Sequence, residues 1–182
     1  MVALEAEDKM AITVTRSVAN LTAANYTPIP VVVDPADGTV QTAYTTFEYD
    51  FPDRPARTVD GQLALADPNV MTLKPRCIIT TGATMTPALL AHEQFHYDVG
   101  FVVARRFVKQ LMRLRAATYA ELSVKFNQCF TLHIITRVGL LQRRYDLDTH
   151  HGTIARYQRI WTDRMAACLR DSNATQLGGF WL

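Results

Sequence analysis

Thr86-Pro87-Ala88-Leu89-Leu90-Ala91-His92-Glu93-Gln94-Phe95-His96-Tyr97-Asp98 is the stretch on which the reading of this 182-residue chain turns. A threonine followed by a proline starts a helix: the hydroxyl accepts an otherwise orphaned N–H, and proline lacks the N–H that the first turn cannot pair. From Pro87 to about Arg113 no further proline intervenes, and the single Gly100 is tolerable in a helix. Leu89, Leu90, Phe95 and Val99 supply an apolar face. His92 and His96 stand four residues apart, so a helix sets both imidazoles on one face, one turn apart. Two imidazole nitrogens at roughly 2.0–2.1 Å are ordinary zinc ligation. Glu93, next to the first histidine, would take the proton of a zinc-bound water whose pKa the metal lowers toward about 7.

Outward from this helix the chain divides near residue 84. Before it, β-branched residues, prolines and turn signals dominate. Met10 to Val18 alternates like a half-buried strand, and Ile29 to Val33 is a short β-branched run ahead of the turn Asp34-Pro35-Ala36-Asp37-Gly38. Val40 to Phe51 predicts a longer strand, Pro52 to Pro68 an irregular loop, and Val70–Leu73 and Arg76–Thr80 two strands broken by Pro75. After it, a second helix is expected from about Tyr119 to His150 with Gly152 as its stop, and a third from about Ile154 to Leu169. The apolar tip Gly178-Gly179-Phe180-Trp181-Leu182 is placed to dock back on the body. The expected fold is α+β in one domain, residues 1–182: a β-rich part (1–83) with a small, mainly antiparallel sheet, then a helical part (84–182) with a long antiparallel hairpin and a C-terminal helix.

Composition narrows the classes. Hydrophobic residues make up 48% and charged residues 20%, a globular balance. A net charge of +2 gives no electrostatic footprint for nucleic acid. Cys77, Cys129 and Cys168 form no Cys-x-x-Cys pair and read as buried small hydrophobes rather than thiolate ligands. No run approaches the roughly 20 apolar residues of a membrane-spanning helix. The start, Met1 to Asp8, is acidic and has no apolar signal core.

A catalytic zinc keeps three protein ligands and one open position, so a third ligand must come from elsewhere. His133, His150 and His151 remain. From His92 to the turn near residue 117 is about 25 residues, or roughly 37 Å, and a return helix of similar length ends at His150 and His151. His133 would stop roughly 27 Å short along the axis. Spacing alone leaves His150 and His151 equal, with Asp98, Asp146 and Asp148 as carboxylate alternatives. Asp98 lies on a different face from His96 and reads as a supporting residue. Tyr97, Tyr145 and Tyr157 are candidate donors for a tetrahedral intermediate, each reading better as a packing residue.

Leu89-Leu90-Ala91-His92-Glu93-Gln94-Phe95-His96-Tyr97-Asp98 resembles the signature of a bacterial family of predicted secreted zinc-dependent proteases, whose core reads His-Glu-Gln-Gly-His-Phe-Asp. A second block is similar as well: Tyr145-Asp146, Thr149, His151-Gly152, then Gln158 and Trp161. The likeness spans roughly residues 70 to 170. It implies a zincin-like fold, His92, His96 and His151 as zinc ligands, Glu93 as the catalytic group, and a secreted or periplasmic location. It departs at Phe95, where the family often has glycine. The expectation is a zinc-dependent peptidase of the His-Glu-x-x-His type acting on a peptide or protein. The alternatives are a metal-dependent amidase on non-protein amides and a non-catalytic zincin-like binding or structural module.

Overall fold

A computed structural model describes residues 12–35, 38–51 and 56–182. The central strand is β8, Val70–Thr80, eleven residues without interruption. One edge carries two short parallel strands end to end: β1 (Thr13–Arg16) on Val70 to Leu73, and β2 (Tyr26–Ile29) on Cys77 to Thr80. The other edge carries β5 (Ala43–Asp50), antiparallel over its full length. The break expected at Pro75 is therefore absent. Pro75 falls at the gap between β1 and β2, where the ladder is interrupted anyway, and a strand tolerates proline at such a place.

Three small antiparallel hairpins complete the β structure. They are β3 (Val32–Val33) with β4 (Val40–Gln41), β6 (Ala56–Val59) with β7 (Gln62–Leu65), and β9 (Gln176–Leu177) with β10 (Phe180–Trp181). The second corrects the irregular loop expected over Pro52 to Pro68. Asp60 and Gly61 both have positive φ, 49° and 76°, which is the two-residue turn that an Asp-Gly pair favours. Pro52 to Pro55, Met10 and Ala11, and the acidic start Met1 to Asp8 lie outside the described residues.

The helical half follows the α+β expectation. Helix α1 (Pro87–Leu111) starts with Leu89 N–H donating to Thr86 Oγ1 at 3.2 Å. It lies across β5 and β8, and the approach is close. A Cβ at Gly100 would stand 2.6 Å from the Phe47 ring, so glycine is needed here for contact between helix and sheet. The return arm is α2 (Tyr119–Phe130), a π-helical segment (Thr131–Arg137) and α3 (Val138–Thr149). The sequence signals one helix; the structure keeps the arm helical but inserts wide turns, as in the bond from Val138 N–H to His133 O. Helix α4 (Ala155–Arg170) packs on α1 and α3. Its C-terminal carbonyls at Leu169, Cys168 and Asp171 accept from the Arg105 guanidinium on α1. The apolar tip docks as expected: Leu182 is buried, and its carbonyl oxygen accepts from Arg137.

The core forms where α1 meets the arm and α4. Val103, Phe107, Leu111, Leu141, Tyr145 and Trp161 are all buried there. All three cysteines are free thiols, two of them buried. Among the described residues no helix is long and apolar enough to cross a membrane.

Candidate metal centre

The buried face of α1 carries His92, Glu93 and His96, which are 4%, 3% and 8% exposed. The return arm delivers Asp146 from the last turns of α3 against them. His92 Nε2 and His96 Nε2 lie 3.1 Å apart, and Asp146 Oδ1 is 3.2 Å from the first and 3.0 Å from the second. The three atoms form a nearly equilateral triangle. Donors placed tetrahedrally around zinc at about 2.0–2.1 Å stand roughly 3.3 Å apart, so the spacing is close to that of a ligand set. His151 Nδ1 lies 4.0 Å from Asp146 Oδ1, and His92, Asp146 and His151 offer ligand atoms all within 4.8 Å of one another.

The polar atoms here want a partner that the protein does not provide. His92 Nδ1, Glu93 Oε2 and Asp146 Oδ1 are buried with no hydrogen bond of acceptable geometry. Buried orphans of this kind cost roughly 1–3 kcal/mol each, and their convergence on one point fits a cation and its solvent. Charge coupling points the same way. Burial works against ionising Asp146, yet His96 and His92 hold its carboxyl well below the usual range. Burial likewise disfavours the His96 imidazolium, and Asp146 outweighs it and raises that pKa.

A turn in the left-handed region positions the end of the arm. His150, His151 and Gly152 have φ of 50°, 50° and 79° in succession. Thr149, fully buried, pins the turn: its hydroxyl donates to Tyr145 O at 2.8 Å and accepts from Gly152 N–H at 3.1 Å. His151 N–H donates to Asp146 O at 3.0 Å. A Cβ on Gly152 would come within 3.0 Å of His92 Cγ and Nδ1, so the glycine backbone lies directly against the first histidine. His151 borders the cleft over the cluster; His150 does not. His133 is elsewhere, buried in the π-helical segment beside Phe107 and Arg137.

Phe95 does not narrow the site. It stacks on Tyr145 at 3.7 Å between centroids and meets Trp161 edge-on at 5.8 Å, while Tyr145 in turn stacks on His92 at 4.8 Å. Tyr145 is thus a packing residue, as expected, and forms the wall behind the imidazoles. Trp161 Nε1–H donates to Asp148 Oδ2, so that carboxylate is used away from the cluster. Tyr97 is fully buried with its hydroxyl on Leu73 O, and Tyr157 is exposed without bordering the cleft.

Asp98 and Gln94 tie α1 to the N-terminal strands. Asp98 pairs with Arg16 at 2.8 Å and accepts from Gln94 Nε2 at 2.7 Å, and Gln94 Oε1 accepts from Leu21 N–H at 2.7 Å. Arg16 also lies 4.2 Å over the Phe101 ring. These are supporting contacts, as the position of Asp98 on the helix implied.

A cleft of about 310 Å³ opens over the cluster, bounded by β5 and the segment before it, by α1 and by α3. It shows a residue that sequence reasoning missed. Tyr44, on the outward side of β5, borders the cleft, and burial together with the Asp34, Asp146 and Glu93 carboxylates raises its pKa. Only the pairing of β5 with β8 places it there, and nothing in local sequence signals that. The edge strand also differs from expectation. Arg76 to Thr80, the strand nearest α1 in sequence, is central, and the strand bordering the cleft is β5.

The family model described as "Bacterial protein of unknown function (DUF922)" matches residues 78–152. That segment runs from the end of β8 to Gly152 and holds all of the cluster: His92, Glu93, His96, Asp146 and His151. Neither the curated proteins nor the solved structures contain a match. Over these residues the chain is similar to that bacterial family, whose description carries no activity.

Proposed function

We propose that the chain is a zinc-dependent peptidase. The observation that carries the reading is the triangle of His92 Nε2, His96 Nε2 and Asp146 Oδ1 with edges of 3.0–3.2 Å, beside an unpartnered Glu93 Oε2 under an open cleft. His92 and His96 hold the ion. His151, implied by the resemblance, and Asp146, brought in by the geometry, both lie within reach as the next donor. When bound, zinc supplies Lewis acidity, polarising a carbonyl and acidifying water. The chain's own work is positional. Glu93, buried and without a hydrogen-bond partner for Oε2, accepts the proton of a water in the cleft and passes it to the leaving amine. Tyr44 offers a phenolic O–H toward the same space, where a carbonyl oxygen gains negative charge. Tyr145 and Gly152 fix the His92 ring from two sides. The exposed edge of β5 favours an extended polypeptide over a compact non-protein amide, because an unpaired strand edge binds main chain.

The test is metal content and turnover together. Wild type purified without chelators should hold one zinc per chain. Glu93→Gln should keep that zinc and lose about 10²–10⁴-fold in peptide hydrolysis. Chain without zinc, or an active Glu93→Gln, would overturn the reading. A second reading draws on Asp146: four protein donors would close the coordination and leave a structural zinc. Asp146→Asn and His151→Ala separate the two. Loss of zinc in only one of them leaves an open position and supports catalysis, while loss in both supports the non-catalytic module.

A further inference from the structure

The cleft over the metal centre does not end at Thr45. A second groove of about 670 Å³ continues along β5 from Thr46 to Phe51, and Gln142 on α3 borders both. One wall of the groove is β5. The other is the π-helical segment and the start of α3, which contribute Ile134, Ile135 and Val138, with Phe130 before them. The floor is apolar, with Phe47 and Phe51 among its residues. Its acids carry no unmatched charge: Glu48 pairs with Arg76, and Asp50 with Lys74, each at 2.6 Å. Ile135 is 59% exposed although it faces this groove, an aliphatic side chain that folding leaves in water.

We propose that this groove binds the apolar continuation of an extended polypeptide whose scissile bond lies at the metal centre. The inference rests on the peptidase reading and adds a substrate class to it. Its occupant is set by continuity: the same strand edge and the same Gln142 serve both cavities, so a chain laid along β5 at one end leads into the other. Six residues of strand, from Thr45 to Phe51, cover roughly 20 Å. A peptide reaching the far end therefore needs about three to six residues on one side of the cleaved bond, with uncharged apolar side chains among them. The groove offers no free charge to pair with an acidic or basic extension.

The experiment uses the full chain carrying Glu93→Gln, so that ligands survive, with fluorescein-labelled peptides and anisotropy as the readout. A hexapeptide is compared with dodecapeptides extended at either end by Leu- and Phe-containing or by Ser- and Asp-containing sequence. One apolar extension should tighten binding by tenfold or more over the hexapeptide, and its polar counterpart should not. Adding Ile135→Asp should bring that ratio close to one, and Ile135→Leu should restore it. Because Ile135 is exposed, neither change disturbs the core. Equal affinity for all extensions, or a ratio that survives Ile135→Asp, overturns the proposal. Zinc content and hydrolysis by the Glu93 form are measured beside it. Length-dependent binding without zinc or turnover would defeat the peptidase reading and leave the groove standing; turnover without length dependence would do the reverse.

Discussion

Gly152→Ala separates a glycine required by its backbone from one required by its neighbour. At φ of 79° any L side chain is strained, and left-handed backbone costs an alanine about 1–2 kcal/mol. That part would appear in any assay of stability. The second part is specific to the site. The new Cβ would stand 3.0 Å from His92 Cγ and Nδ1, against an ordinary contact of about 3.4–4 Å, so the ring must move by roughly half an ångström. It cannot slide freely, because Tyr145 stacks on it. Metal–ligand distances tolerate about 0.2 Å, so such a displacement should weaken zinc binding by tenfold or more, about 1.4 kcal/mol. Gly61→Ala is the control. Its φ is 76°, yet an added Cβ there meets nothing within 4 Å. Urea unfolding in chelator should show both variants destabilised by about 1–2 kcal/mol. Zinc affinity, from competition with a chromophoric chelator, should fall only in Gly152→Ala. Equal zinc affinity in the two variants would refute the claim that Gly152 holds His92 in place.

Three further perturbations follow from particular contacts. His150→Gly should stabilise the protein by about 0.5–1 kcal/mol by relieving a left-handed non-glycine residue, with zinc content unchanged, as read by thermal unfolding and elemental analysis. His133 is pushed down to about 4 from 6.5 by burial, and by Arg137 and Arg106. The folded state therefore keeps it neutral where the unfolded chain binds a proton. Its contribution is fully present above pH 6.5 and is lost as pH falls toward 4, about 2 kcal/mol over that window, and His133→Gln should flatten the slope in pH-dependent urea unfolding. Tyr44→Phe should lower kcat by about 10²-fold with little change in KM and none in zinc content; a variant with wild-type kcat would remove Tyr44 from the chemistry.

The parts of the fold set by local chemistry were legible in the sequence. Thr86-Pro87 marked the start of α1, the four-residue spacing of His92 and His96 gave one face, and helix arithmetic brought residues near 150 back to that face. What escaped depended on partners distant in sequence. Pro75 argues for a broken strand until β1 and β2 are seen to leave a gap beside it. Asp60-Gly61 carried a hairpin signal that surrounding prolines and polar residues obscured. Asp146 was one carboxylate among several, because nothing in its neighbours says which side of a helix will meet α1. Tyr44 had no signal at all, since its place in the cleft is set by pairing 34 residues away, with Ile78.

The π-helical segment has a consequence for how the cluster could be lost. In an α-helix each residue advances the direction of the next by about 100°. A wide turn holds an extra residue and so resets the direction in which everything after it points. Asp146 faces the two histidines because of the phase at which α3 leaves Thr131–Arg137. Deleting one residue there would leave composition and hydrophobicity nearly unchanged, yet swing the carboxylate about 100° around the axis. The metal-competent cluster is thus sensitive to counting: a silent-looking length change on the far side of the molecule could dismantle it while every ligand remained in the sequence.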